Sequence, residues 1–260
     1  MTEQPDSEVV TWSSAEQILC VRLCRPPANA LGLPLVRGLD AALDAFEASD
    51  ARVLVLVSDL AGFFAAGADI KTMGTAGAED FAAYGKALRG PLNRLAESDR
   101  PSIAAVEGLA LGGGLELAMA ATLRVGARNA RLGLPEAKLG LIPGAGGTQR
   151  LTRLVGRGRA LDIMLTARDV PAEEAHAIGL LDRLVEPGEA EAQAMTLAHT
   201  LCTRSPAAQT EILRCVDDAQ DLPLVEGLAR EADRVNALFS GPQAQEGLAA
   251  FLEKRRPDYA

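Results

Sequence analysis

Two kinds of apolar spacing alternate along the first two-thirds of the chain. Residues 18–23 (ILCVRL) and 53–57 (VLVLV) are short runs rich in β-branched side chains, the pattern of strands. Between them Leu35, Leu39, Leu43 and Phe46 recur at helical spacing, with Asp40, Asp44 and Glu47 at intervening positions. A third strand is predicted at 102–107 (SIAAVE), after a helix carrying Phe81, Leu88, Leu92 and Leu95, and two shorter strands near 122–126 and 130–133. Strands alternating with helices indicate an α/β domain. From about residue 147 the pattern turns helical, through TQRLTRLVG, GRALDIMLTAR and PAEEAHAIG, the last with proline at its start and glycine just past its end. Residues 190–255 read as three further helices, punctuated by Pro206, Pro223 and the Gly241-Pro242 pair. The expected organisation is an α/β core over 1–198 and a helical C-terminal region over 199–260.

Composition narrows the class without naming a function. The 260 residues suit one sizeable core, and 48% hydrophobic with 23% charged residues is ordinary for a folded domain. No apolar run reaches the ~18–20 residues of a membrane span. The N-terminal MTEQPDSEVV lacks the basic and Arg-rich patterns of leader peptides, so a cytoplasmic location is expected. A net charge of −9 argues against a nucleic-acid binder, whose binding face is basic. Cys20, Cys24, Cys202 and Cys215 form no CxxC pair, and only His176 and His199 could add to them, so no metal site is expected. The cysteines read as packing residues of a reducing compartment.

The stretch LALGGGLELAMA (109–120) places three glycines and one carboxylate inside an otherwise core-like segment. A strand running into a glycine bend and then into a helix near Gly114 presents unpaired backbone N–H groups. Glycines there let another molecule approach the backbone, which makes an anion or oxyanion site. A similar bend lies at 62–71 (GFFAAGADIK), with Gly67 at the turn. Each bend alone is also ordinary turn chemistry. Glu116 follows the triple glycine, where it either complements the helix dipole or serves chemistry. Glu136, after Pro135, is either a solvated loop residue or its partner. Two partly buried glutamates can share one water as base and acid. The loop GAGGTQR (144–150) lacks the lysine of a phosphate loop and does not fit G-x-G-x-x-G. No G-x-S-x-G elbow accompanies either histidine.

Three segments, FFAAGADIKTM, AAVEGLALGGGLELAMA and LPEAKLGLIPGAGGTQRLTRLVG, with RPPANAL (25–31) and the terminal FLEKRRPDYA, resemble the crotonase superfamily, and specifically enoyl-CoA hydratase. The resemblance covers nearly the whole chain. It implies a spiral of ββα units with a helical C-terminal trimerisation region, assembled as a homotrimer or a homohexamer of two trimers. It further implies that the backbone N–H groups of Ala68 and Gly113 hold the CoA thioester carbonyl, and that Glu116 and Glu136 carry out the acid–base steps. Ala66, Asp69, Ile70 and Lys71 would line the CoA site, Lys71 near the phosphates, with Phe251 and Lys254 reaching a neighbouring subunit's CoA. Cys24 and Glu107 stand where the family often has asparagine. The implied reaction adds water to a 2-enoyl-CoA to give a 3-hydroxyacyl-CoA, without metal or redox cofactor and with CoA as part of the substrate. Fatty-acid metabolism is one route that uses it. The other readings are an isomerase, racemase or hydrolase with the same hole, or an RNA-binding relative. Retention of both glutamates favours hydration.

Overall fold

The computed structural model describes residues 9–259, apart from the side chains of Lys71 and Thr72. Ten strands form two sheets. They are β1 (Val10–Ala15), β2 (Ile18–Leu23), β3 (Val53–Ser58), β4 (Phe63–Ala65), β5 (Ser102–Val106), β6 (Leu109–Leu111), β7 (Leu123–Ala127), β8 (Arg131–Gly133), β9 (Val170–Pro171) and β10 (Arg183–Val185). The larger sheet has the order β1-β2-β3-β5-β7-β10 and the smaller the order β4-β6-β8-β9. Pairing is parallel except at β1–β2 and β8–β9. The helices are α1 (Leu33–Ala48), α2 (Ile70–Met73), α3 (Ala78–Ala96), α4 (Gly113–Ala120), α5 (Gly147–Val155), α6 (Arg157–Thr166), α7 (Ala172–Ala177), α8 (Ala190–Cys202), α9 (Pro206–Asp221), α10 (Leu224–Phe239) and α11 (Pro242–Leu252).

Chain order and sheet order together make a spiral. Each turn lays one strand in the larger sheet, the next in the smaller sheet, and then a helix: β3-β4-α3, β5-β6-α4, β7-β8-α5. The apolar run of β3 is continuous because both its faces are covered. Leu54 and Leu56 face the core that holds Leu35, Phe46 and Leu92. Val53, Val55 and Val57 face a second core closed by Ala190, Ala194, Leu197 and Ala198 of α8. A Val or Leu fully buried in this way contributes about 1.5–3 kcal/mol. The predicted core strands, the helix at 35–46 and the helix beneath Phe81–Leu95 are all present.

The structure differs from expectation in three places. Residues 102–107 do not run directly into the glycine bend: β5 ends at Val106, Gly108 turns at φ 66°, and β6 crosses to the other sheet. Second, β1, β4, β9 and β10 were not anticipated. Apart from β1, whose outer half is polar, these are two or three residues long, too short for a period to register. Third, residues 190–255 hold four helices, because three breaks separate four segments. The first of these, α8, crosses the expected 198/199 division and packs on the sheet. Glu107 accepts from the Ala190 N–H at 3.2 Å, securing the start of that helix.

A buried asparagine braces the region that carries the site. Asn29 is fully buried; its Oδ1 accepts from Arg25 N at 2.6 Å, and its Nδ2 donates to Ser58 Oγ at 2.8 Å and Phe64 O at 3.0 Å. The neighbouring backbone then clasps the 66–69 loop, with Leu31 N on Gly67 O at 2.7 Å and Ala66 N on Ala28 O at 2.9 Å. Asn29→Ala strands several buried polar groups, and a loss of about 3 kcal/mol in denaturant unfolding is expected.

Candidate active site

The C-terminal ends of three adjacent parallel strands supply the site. After β4 comes the loop 66–69, after β6 the triple glycine and Glu116, and after β8 the 3-10 turn Pro135–Leu139 with Glu136. Each glycine of the triplet meets a separate steric demand. Gly112 takes φ 52°, ψ −126°, and its N–H is bonded to Gly133 O at 2.8 Å. Gly114 lies so close to β4 that an added β-carbon would come within 2.0 Å of Ala65 O. Gly113 faces the loop of Ala68: a β-carbon there would sit 3.6 Å from Ala68 N and 2.9 Å from Leu31 Cδ1. The Gly113 N–H is the first of α4 and has no intrahelical partner. Among the described residues no oxygen accepts from Gly113 N or Ala68 N. Two unbonded amides from different turns of the spiral therefore lie close together, an arrangement able to serve as an oxyanion hole.

The two glutamates are held differently. Glu116, on the first turn of α4, is only 2% exposed, and its Oε1 accepts from Ala145 N at 2.7 Å and Gly147 N at 2.8 Å. Gly147 opens α5, so this glycine-rich loop wraps a carboxyl group of the protein itself. Burial pushes the Glu116 carboxyl above its usual range, while the two amides and the charges of Arg150 and Arg89 pull it back. Glu136 lies over the first glycine, where a β-carbon on Gly112 would meet its Oε1 at 2.8 Å. Its Oε2 is buried without a hydrogen-bond partner. Burial, reinforced by the nearby charge of Glu116, raises its pKa to about 7. One carboxyl is thus anchored by two amides of another loop, while the other, held only by its own backbone N–H and with one oxygen unpartnered, is raised to about 7. That separation assigns base and acid roles in carboxylate pairs.

Ala68, Gly113, Glu116 and Glu136 all line one cavity of about 270 Å³, closed on its other sides by side chains that include Tyr84, Leu88 and Ile142. The remaining expected residues are placed as follows. The Ala66 N–H is bonded to Ala28 O, and the Asp69 carboxylate pairs with Arg25 at 2.8 Å, so both hold the 66–69 loop in shape. Ile70 is half exposed and borders an adjoining hollow of about 310 Å³ that shares Met73, Phe81 and Leu141 with the cavity. The Lys71 side chain lies outside the described residues. Phe251, 80% exposed on α11, and Lys254 just beyond it are not part of the cavity wall. The two histidines lie elsewhere, His176 against Leu181 O and His199 against Glu16. No group of three metal-ligating side chains occurs among the described residues.

Three contributors escaped the sequence reading. The amides of Ala145 and Gly147 carry no side-chain signal, although the glycine-rich spelling marks a tight backbone. Tyr84 was legible in principle, at helical spacing between Phe81 and Leu88. Its hydroxyl donates to Leu31 O at 2.7 Å and accepts from Asp69 N at 3.3 Å, tying α3 to the 66–69 loop.

The family model for enoyl-CoA hydratase/isomerase matches residues 13–260. The protein named "Probable enoyl-CoA hydratase" of Rhizobium meliloti (strain 1021) is 40% identical over 240 residues, 92% of this chain and 93% of that one. The mitochondrial methylglutaconyl-CoA hydratase of Mus musculus is 37% identical over 236 residues, 89% of this chain and 75% of that one. A crystal structure of enoyl-CoA hydratase from Bacillus anthracis superposes with a TM-score of 0.93 at 33% identity, covering 97% of this chain and 99% of that one. The chain belongs to the enoyl-CoA hydratase/isomerase family, and its spiral is the crotonase fold.

The electrostatics make a direct prediction. In carboxyl ¹³C NMR of glutamate-labelled protein, Glu136 should titrate with a midpoint near 7. Glu116→Gln removes the neighbouring negative charge that raises it, so that midpoint should fall.

Proposed function

We propose that the chain hydrates 2-enoyl-CoA thioesters to 3-hydroxyacyl-CoA. The observation that carries this reading is that Glu116 and Glu136 face one cavity together with the open amides of Ala68 and Gly113. The thioester oxygen accepts from these two amides, which stabilise the enolate-like charge that develops on it. Water stands between the glutamates. Glu116 takes a proton from it as its oxygen bonds to C3, and Glu136 delivers a proton to C2, so the net change is addition of H₂O. Exchange with solvent then returns Glu116 to the ionised form and Glu136 to the protonated form. CoA enters as part of the substrate, and the scheme uses no other cofactor. A cavity at the small end of ligand-pocket sizes suits a short acyl chain.

The same reading extends to assembly. No residue of α9 or α10 is buried, and Ile212, Val216, Leu228 and Phe239 are exposed. Apolar surface on this scale marks a protein interface. It supports residues 199–260 as the oligomerisation region of a homotrimer or homohexamer. Assembly of this kind would bring Phe251 and Lys254 to a neighbour's CoA, with Lys71 near the phosphates of its own.

Loss of enoyl absorbance from crotonyl-CoA tests the reaction. Glu116→Gln and Glu136→Gln should each lower kcat by about 10²–10⁴, and a wild-type rate no greater than that of the double variant would refute the hydratase reading. Gly113→Ala should cost about 10²–10³ in rate, because a methyl enters between the two amide donors. The proton on Glu136 is needed, and its pKa lies near 7; kcat/KM should therefore fall as pH rises through that value. A monomer in light scattering would overturn the assembly.

A further inference from the structure

The GAGGTQR segment contains one more residue that the chemistry above leaves unused. Arg150 lies back over the loop that holds Glu116. Its Nη1 donates to Ala145 O at 2.9 Å and its Nη2 to Asn93 Oδ1 of α3 at 2.9 Å. Ala145 is also the residue whose N–H binds Glu116 at 2.7 Å. One peptide segment therefore joins the guanidinium to the carboxylate. The return of Arg150 over the loop requires Gly146, at φ 108°, where a β-carbon would lie 2.2 Å from Nη1.

The charge of Arg150 is unusually placed. Most arginines in ion pairs here meet carboxylates on open surface, and the buried Arg124 is paired with Asp182 at 2.7 Å. Arg150 is largely withdrawn from water, yet both its described hydrogen bonds go to neutral oxygens. Among the described residues no carboxylate oxygen lies within ion-pair distance of it, and the carboxylate that interacts with it most is Glu116. A desolvated cation without a contact anion is costly in isolation, and here it sits behind a buried anion.

We propose that Arg150 is a positioning residue for Glu116: it fixes the Ala145 peptide that cradles the carboxylate and supplies the positive field that keeps it ionised as a base. The charged and titratable groups around that carboxyl are Glu136 from the 3-10 turn, Tyr84 and Arg89 from α3, and Arg150 from α5. Arg124 of β7 stands at the far end of α4, bonded to Ala121 O and committed to Asp182. Arg89 adds to the same field and donates to Gly144 O at 3.3 Å. Glu97 faces Arg150 from the end of α3. The arrangement gives Glu116 two arginines and two amides and gives Glu136 none of them, which sets the two carboxyls apart.

The role of Arg150 as a catalytic support rests on the hydratase reading, so the test uses one measurement that needs no turnover and one that does. The first is the carboxyl ¹³C titration of Glu116, identified by its loss in Glu116→Gln. The second is crotonyl-CoA hydration against pH. Arg150→Gln should raise the Glu116 midpoint by about one unit and move the acid limb of kcat upward with it. It should also lower kcat by about 10- to 100-fold while KM stays within about twofold. Arg150→Lys should restore most of the midpoint but not the rate. Asn93→Ala, at an exposed position, releases Arg150 without removing it and should lower kcat several-fold; it decides the matter if Arg150→Gln does not fold. An unmoved Glu116 midpoint in Arg150→Gln, or unchanged kcat in both Asn93→Ala and Arg150→Lys, overturns the proposal. A shifted midpoint in a protein that does not hydrate crotonyl-CoA refutes the hydratase reading and leaves the positioning role standing.

Discussion

A carboxylate sealed inside an apolar helix end must find donors or lose its charge, and the site is built around that requirement. Glu116 finds them in Ala145 N and Gly147 N. These bonds fall at the start of α5, in the glycine-rich stretch 144–147 where Gly146 is left-handed. They also set the distance between α4 and α5, and with it the shape of the cavity wall that Ala145 provides. Removing water makes each such dipole count for more. The same burial that makes the anion expensive to keep therefore makes it well defined in position.

The spiral explains how distant stretches of sequence reach one cavity. Three turns each deposit a short strand in the smaller sheet, and β4, β6 and β8 lie side by side in parallel. Their C-terminal ends then open at one edge. The amide of Ala68, the amide of Gly113 and the carboxyl of Glu136 arrive there from residues up to 68 apart, without any long loop to order. The smaller sheet also packs into the main core through Phe64, Ala110, Leu132 and Val170, so the backbone groups at its edge are firmly held. Tyr84 and the Arg25–Asp69 pair then hold the first of these loops against α3 and the 24–32 segment.

Sequence reasoning succeeded where side-chain pattern carries the information. The continuous apolar run of 53–57 is a strand covered on both faces, and Leu35, Leu39, Leu43 and Phe46 form the buried stripe of α1. Gly67 and Gly112–Gly114 announced close backbone approach, and Glu116 and Glu136 stood out as carboxylates in apolar company. What remained hidden is held by backbone. Strands of two or three residues have no measurable period, and β4, β6 and β9 owe their existence to neighbours in the sheet. The donors of Ala145 and Gly147 have no spelling of their own. GAGGTQR therefore looked like a failed cradle for an external phosphate, when the anion it holds lies 29 residues away from Ala145 in the same chain.

The exposure of two peptide amides to the cavity also governs how this surface can change. Side-chain replacement cannot delete a main-chain N–H, short of proline, so the pair of donors persists through wide drift in the residues around it. Drift is instead barred by volume at a few points. Residues 112–114 have almost no free space around their α-carbons, with Glu136, Leu31 and Ala65 pressed against them. By contrast the walls given by Ala82, Leu88 and Ile142 are ordinary side chains of α3 and the loop before α5. The cavity is accordingly rigid where the two amides meet and plastic along its side-chain walls, a division that lets its contents vary while the backbone frame stays fixed.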